Sequence, residues 1–233
     1  MSATSPALRA EARTARTPMM PLLLRPAAKA VLFAICLLPF AWLFYGAWAN
    51  QLGPNPAEAL IRSSGDWVLR FLCITLAVTP LRQWAGLPAL ARFRRMLGLF
   101  AFFYAALHFT TFLWFDHFFD VQEMWKDVLK RPFITVGFIA FVLLIPLAVT
   151  STNGMVKRLG GKRWQWLHRL IYVIAPLGIL HFWWMKAGKN NFAQPILFGS
   201  IVALLLLIRV YFAWNKRVKS ARVANAATPV RSA

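Results

Sequence analysis

Residues 164–184 read WQWLHRLIYVIAPLGILHFWW. A helix that crosses a bilayer needs about 20 mostly apolar residues, and this stretch is long enough. It holds one fixed charge, Arg169 near its start, and two histidines, His168 and His181. An ionisable group inside a span is costly and is a functional hypothesis by default. Six stretches of this character occupy roughly 27–48, 64–83, 96–115, 132–150, 165–185 and 194–213. No Asp, Glu, Lys or Arg occurs from Ala30 to Ala49 or from Met96 to Phe115. The second stretch is the least apolar, because Arg70 stands in its first turns. Such a side chain snorkels outward or meets an anionic group in the bundle. The reading is an all-α membrane protein, a six-transmembrane-helix bundle. The count falls to five if the second or sixth stretch lies in the interface.

Composition supports this. Of 233 residues, 59% are hydrophobic and only 15% charged, against about 25% charged in soluble domains. Mean hydropathy is +0.55 and the formal charge +20. That charge alone suggests nucleic acid or an anionic lipid surface. The apolar runs decide for the lipid bilayer, so no nucleic-acid partner is expected. Cys36 and Cys73 both lie in apolar runs, too few for a disulfide framework or a cysteine-based zinc site.

Loop charges set the orientation. Twenty of the 27 basic residues fall on the side of the two termini, among them Arg25, Arg82, Arg94, Arg95, Arg158, Arg163 and Lys216. Six of the seven acids, Glu58, Asp66, Asp116, Asp120, Glu123 and Asp127, fall on the other. The positive-inside rule then places both termini in the cytoplasm. Trp48, Trp67, Trp114, Trp183 and Trp184 mark the outer interface, and Trp84, Trp164, Trp166 and Trp214 the inner one. Residues 1–25 read as a disordered cytoplasmic arm, 26–215 as the membrane domain and 216–233 as a cytoplasmic tail. The outer segment 116–131 carries apolar Phe119, Met124, Trp125 and Val128 and reads as a short surface helix. No glycine-rich nucleotide loop follows a strand.

Chemistry is left to the histidines. His117 sits in the outer loop and reads as solvated. At about 1.5 Å per residue, His108 lies some 18–20 Å from the inner start of its helix, His181 about 25 Å and His168 about 6 Å. His108 and His181 can therefore meet in the outer half of the bilayer, while His168 stays near the inner face. Two imidazoles on separate helices at one level can clamp a haem iron axially. His168 and His181 are 13 residues apart, a stride of roughly 20 Å that suits two stacked haems. On an ideal helix their side chains differ by about 140°, which a rewinding at Pro176 would have to correct. Fourteen residues before His108 stands Arg94, which stays protonated and is no ordinary ligand. It suits a haem propionate or a flavin phosphate. The plain alternative is that membrane histidines serve as interhelical hydrogen-bond donors. The stripe Phe100, Phe102, Phe103, Tyr104, Phe109, Phe112 reads as packing rather than a cofactor box.

LCITLAVTPLR, ARFRRMLGLFAFFYAALH, PLAVTSTN and KRWQWLHRLIYVIAPLGILHFWW together resemble the MsrQ (YedZ) family, itself similar to the ferric-reductase-like transmembrane domain. The resemblance spans about residues 20–215. It implies an inner-membrane cytochrome with b-type haem and FMN, a non-catalytic electron-transfer subunit. Such a subunit draws electrons from membrane quinone and passes them to the periplasmic molybdopterin reductase MsrP, which repairs oxidised methionine. The family's histidines map onto His108, His168 and His181. Larger ferric-reductase-like enzymes carry two histidines on the third span, and here Arg94 takes one of those places. The competing readings are a stand-alone ferric or quinone reductase and a haem-free transporter or scaffold. A carboxylate relay for transport is hard to build, since Asp66 is the one acid near a span.

The topology has a direct check. A reporter fused after Arg217 is expected to be active only in the cytoplasm, and one inserted in 116–131 only in the periplasm. Swapped activities would overturn the depth argument.

Overall fold

The computed structural model describes residues 19–188 and 190–227, and these contain no β-strand. Most of the expected N-terminal arm, residues 1–18, lies outside the described residues, as do Lys189 and the end of the tail from Thr228. The arm's last part is not irregular: Met19–Leu24 forms a short helix, α1. Six helices are long and apolar enough to cross a membrane. They are α2 (Pro26–Trp48), α3 (Pro56–Trp84), α4 (Arg94–Phe115), α6 (Pro132–Val149), α9 (Ile171–Ala187, led in by α8, Gly161–Leu167) and α10 (Ala193–Ala227). Between them lie α5 (Val121–Lys130) and α7 (Asn153–Leu159). The helix of the last span continues past residue 213, through Ala227.

The least apolar span is the central one. α3 packs most extensively on α4 and also touches α2, α9 and α10. Its mean hydropathy of 1.2 is the lowest of the six, and half of its apolar window is buried inside the protein. Polar residues are tolerated there because they face other helices rather than lipid. Ser64 is fully buried and donates to the carbonyls of Leu60 and Ile61. The Arg70 guanidinium lies 4.6 Å from the Trp67 ring centre. Trp67 itself packs against Phe71 and Tyr104.

The fifth span is not one continuous helix. It breaks at a 3-10 turn, His168–Leu170, between α8 and α9. The ideal-helix phase of His168 and His181 therefore does not apply: the rewinding falls at His168 itself, while α9 runs on through Pro176 as α-helix. In the outer segment, the Asp120 carboxylate caps α5 by accepting from the amides of Gln122 and Glu123. Met124 and Val128 are buried with Ile134, so α5 folds onto the bundle rather than lying free on its surface. Cys36 and Cys73 are buried free thiols of the core.

α2 is the peripheral helix, and one side chain fastens it. Tyr104 on α4 is fully buried and stacks on Phe71 at 5.1 Å. Its hydroxyl donates to the Cys36 carbonyl (2.9 Å) and accepts from the Phe40 amide (3.0 Å). Those two groups would otherwise bond each other along α2. The hydroxyl is inserted into the helical ladder beside Pro39, a recognised cause of local opening. Tyr104→Phe lets the ladder close again and is expected to cost about 1 kcal/mol. Tyr104→Ala also leaves a cavity and is expected to cost about 3–5 kcal/mol. Thermal unfolding in detergent should rank the two in that order, and equal losses would show that the hydroxyl, not the ring, carries the contact.

Candidate functional site

His108 on α4 and His181 on α9 meet as depth alone suggested. Their ring centres are 6.2 Å apart with the planes at 74°. Each ring is held in the same way. The His108 Nδ1 lies 2.8 Å from the carbonyl oxygen of Ile61, and the His181 Nδ1 lies 2.6 Å from that of Phe133. A carbonyl only accepts, so in each ring Nδ1 carries the proton and Nε2 keeps its lone pair. Binding by the other nitrogen to a backbone carbonyl is how metal-ligating imidazoles are oriented.

One helical turn beyond each accepting carbonyl stands a glycine, Gly65 after Ile61 and Gly137 after Phe133. A Cβ at Gly65 would lie 3.1 Å from the His108 ring, and one at Gly137 only 2.6 Å from the His181 Nδ1. Residues i and i+4 share a helix face, so the missing side chain lets the ring lie flat on the backbone and reach the carbonyl. Neither glycine was singled out from the sequence. The available signal was an isolated glycine within an apolar helical run, which marks close approach.

The two rings line a cavity of about 810 Å³. Its inner walls are apolar, with Leu72, Phe141, Leu144 and Ile174, while Arg62, Asp66, Arg131 and Lys186 stand among its polar lining. That is the size and character of a cofactor site. Phe109 and Phe112 line it too, so part of the aromatic stripe serves the cavity as well as the core. At its rim, burial pushes the Asp116 carboxyl above the usual carboxylate range, against the pull of His117 and Arg131. Two imidazoles with free Nε2 atoms, apolar walls and cationic side chains fit a planar iron macrocycle with acidic substituents.

His168 does not join this cavity. Its ring stacks on Trp164 at 3.8 Å, its Nδ1 lies 3.0 Å from the Trp164 carbonyl, and its Nε2 is 3.4 Å from the Ser151 hydroxyl. Trp164 is in turn tied through its indole N–H to the Thr150 carbonyl. The 3-10 turn thus turns His168 toward the α6–α7 connection. Arg94 lies within electrostatic reach of His168, but also of Tyr172 and Arg209. His117 is not solvated. Its side chain is 7% exposed, packs edge-on to Phe112 at 4.7 Å, and places Nε2 3.6 Å from Asp127. The aspartates of the same segment and the folding of α5 onto the bundle enclose it.

Residues 64–179 match the family described as the ferric reductase like transmembrane component. That range holds Gly65, His108, Gly137 and His168 and ends two residues before His181. A protein of Herminiimonas arsenicoxydans is 70% identical over 196 residues, 84% of this chain and 90% of its own length. One of Polaromonas naphthalenivorans is 62% identical over 203 residues (87% and 92%) and one of Caulobacter vibrioides 49% over 176 (76% and 83%). Each is called a protein-methionine-sulfoxide reductase heme-binding subunit MsrQ. With identity of this degree over most of its length, the chain belongs to the MsrQ family of ferric-reductase-like membrane proteins.

Proposed function

We propose that the chain is a membrane electron-transfer subunit that holds b-type haem between His108 and His181. The observation that carries this reading is the repeated device of an imidazole seated on a glycine with Nδ1 committed to a carbonyl. It leaves two imidazole lone pairs facing one cavity, with ring centres 6.2 Å apart. Bound there, haem supplies a one-electron ferric/ferrous couple. The chain's own part is to orient the rings through Ile61 and Phe133, to exclude water with apolar walls, and to offer Arg62, Arg131 and Lys186 to acidic substituents.

The finer assignments belong to the same reading. His168 with Arg94 serves an inner cofactor, a second haem or FMN, with Arg94 holding an anionic group. Both termini are cytoplasmic and the membrane is the bacterial inner membrane. The His108–His181 pair then lies nearer the periplasmic face, so electrons enter from membrane quinone and leave to a periplasmic reductase of the MsrP type. The mixed charges around α5, with Asp120, Glu123 and Asp127 beside Lys126, Lys130 and Arg131, suit a transient, salt-sensitive redox encounter.

Optical spectra of the purified protein test the haem pair. His108→Ala and His181→Ala are each expected to remove or convert the same low-spin component, because either change leaves iron with one protein ligand. Gly137→Ala is expected to do the same, although alanine favours a helix by about 1 kcal/mol over glycine. Gly98→Ala is the control: it does not line the cavity, its Cβ would meet Thr75 at an ordinary 3.8 Å, and the spectrum should hold. Separate components for His108 and His181, or no Soret band at all, would overturn the pairing.

Stopped-flow reoxidation of the dithionite-reduced protein tests the partner. In low salt, MsrP with methionine sulfoxide is expected to accelerate reoxidation, and added salt to slow it. No acceleration with haem intact would reject the electron-donor role and favour a stand-alone reductase.

A further inference from the structure

At the basic end of the bundle, away from the histidine cavity, a second cluster has a property that packing does not use. Pro80 has no amide proton, so the Leu76 carbonyl four residues earlier on α3 loses its helical partner. Arg209 on α10 supplies one: its Nη2 donates to that carbonyl at 2.7 Å. Its Nη1 donates to the Tyr172 hydroxyl at 2.8 Å, and the guanidinium lies 5.4 Å from the Tyr172 ring centre. The Nε of Arg209 is buried and has no hydrogen-bond partner. Tyr172, having accepted from Arg209, keeps its own proton for a third group. Arg94 at the start of α4 stands within electrostatic reach of both, with Arg82 nearby.

The charge does not balance. Every acid among the described residues, Glu58, Asp66, Asp116, Asp120, Glu123 and Asp127, belongs to the other end of the bundle. Two guanidinium groups drawn together in a partly desolvated place repel each other and need an anion. Tyr172 is 39% exposed, so the cluster is open to the surroundings of the bundle. Basic recesses between membrane helices on the cytoplasmic side take phosphate headgroups, and the guanidinium fork matches phosphate geometry.

The geometry points to a phosphate-binding site formed by Arg209, Arg94 and Tyr172 at the inner face of the membrane. Arg209 is both the hydrogen-bond donor that closes the Pro80 gap and a ligand-binding residue. The site rests on the reading above that Arg94 holds an anionic group, and extends it to α9 and α10. The phosphate comes from an anionic phospholipid headgroup or from a mononucleotide cofactor.

The whole chain in phosphatidylcholine nanodiscs distinguishes the sources. One arm titrates FMN and follows its fluorescence; the other admixes phosphatidylglycerol and counts retained lipid by native mass spectrometry. Saturable binding is expected in one arm, weakened at least tenfold by Arg209→Gln and about threefold by Tyr172→Phe. Circular dichroism and the thermal midpoint report the fold without reference to haem. If Arg209→Gln fails to fold, Arg209→Lys and Tyr172→Phe decide: the lysine can still reach the Leu76 carbonyl but has no fork. Wild-type binding in neither arm, or unchanged affinity in the folded variants, overturns the site. A wild-type chain that binds phosphate but shows no Soret band would refute the haem pair and leave this site standing.

Discussion

Two hydrogen bonds, from His108 Nδ1 to Ile61 and from His181 Nδ1 to Phe133, govern the half of the bundle that holds the cavity. Each joins an imidazole on one helix to the backbone of another, tying α4 to α3 and α9 to α6. Each is possible only because a glycine one turn on leaves the helix surface bare. A side chain at Gly137 would occupy the space of the His181 ring. The same two bonds decide the chemistry, since they consume the N–H of each ring and turn its lone pair to the cavity. Packing and donor state are set together.

A second constraint acts on the whole chain. Lipid offers no hydrogen bonds, so backbone groups freed inside a span need partners within the protein. Prolines in α2, α3, α6 and α9 free such groups. At Pro80 Arg209 covers the Leu76 carbonyl that the proline frees, and next to Pro39 the Tyr104 hydroxyl stands between the Cys36 carbonyl and the Phe40 amide. Both groups come from other helices. The irregularities that weaken single helices thereby become the points that fasten the bundle.

Charge separates the two ends. The end that holds α5 carries both signs, and its acids pair with neighbours: Glu58 with Arg62, Glu123 with Lys126, Asp127 with Arg131. The opposite end has cations with no acid among the described residues. Arg94, Arg209 and Tyr172 lie together at that cationic end.

Six spans, the likeness to the family and the shared depth of His108 and His181 were legible in the sequence. Length, apolarity and a fixed rise per residue determine the spans and the shared depth without knowledge of which helices touch, and the quoted motifs carry the likeness. The least apolar span could be placed by length but not recognised as central, because polar residues look alike whether they face water or other helices. The break at His168 was hidden, since nothing local in WLHRL forbids a continuing helix. Gly65 and Gly137 were equally silent. A glycine's value lies in what occupies the space beside it, and that neighbour, some 43 or 44 residues away in both cases, is chosen only when the helices pack. Burial of His117 depended likewise on α5 folding back. Sequence determined which groups lie at each depth of the membrane; tertiary structure decided which of them face one another, because facing is a property of helix rotation and contact that no single helix contains.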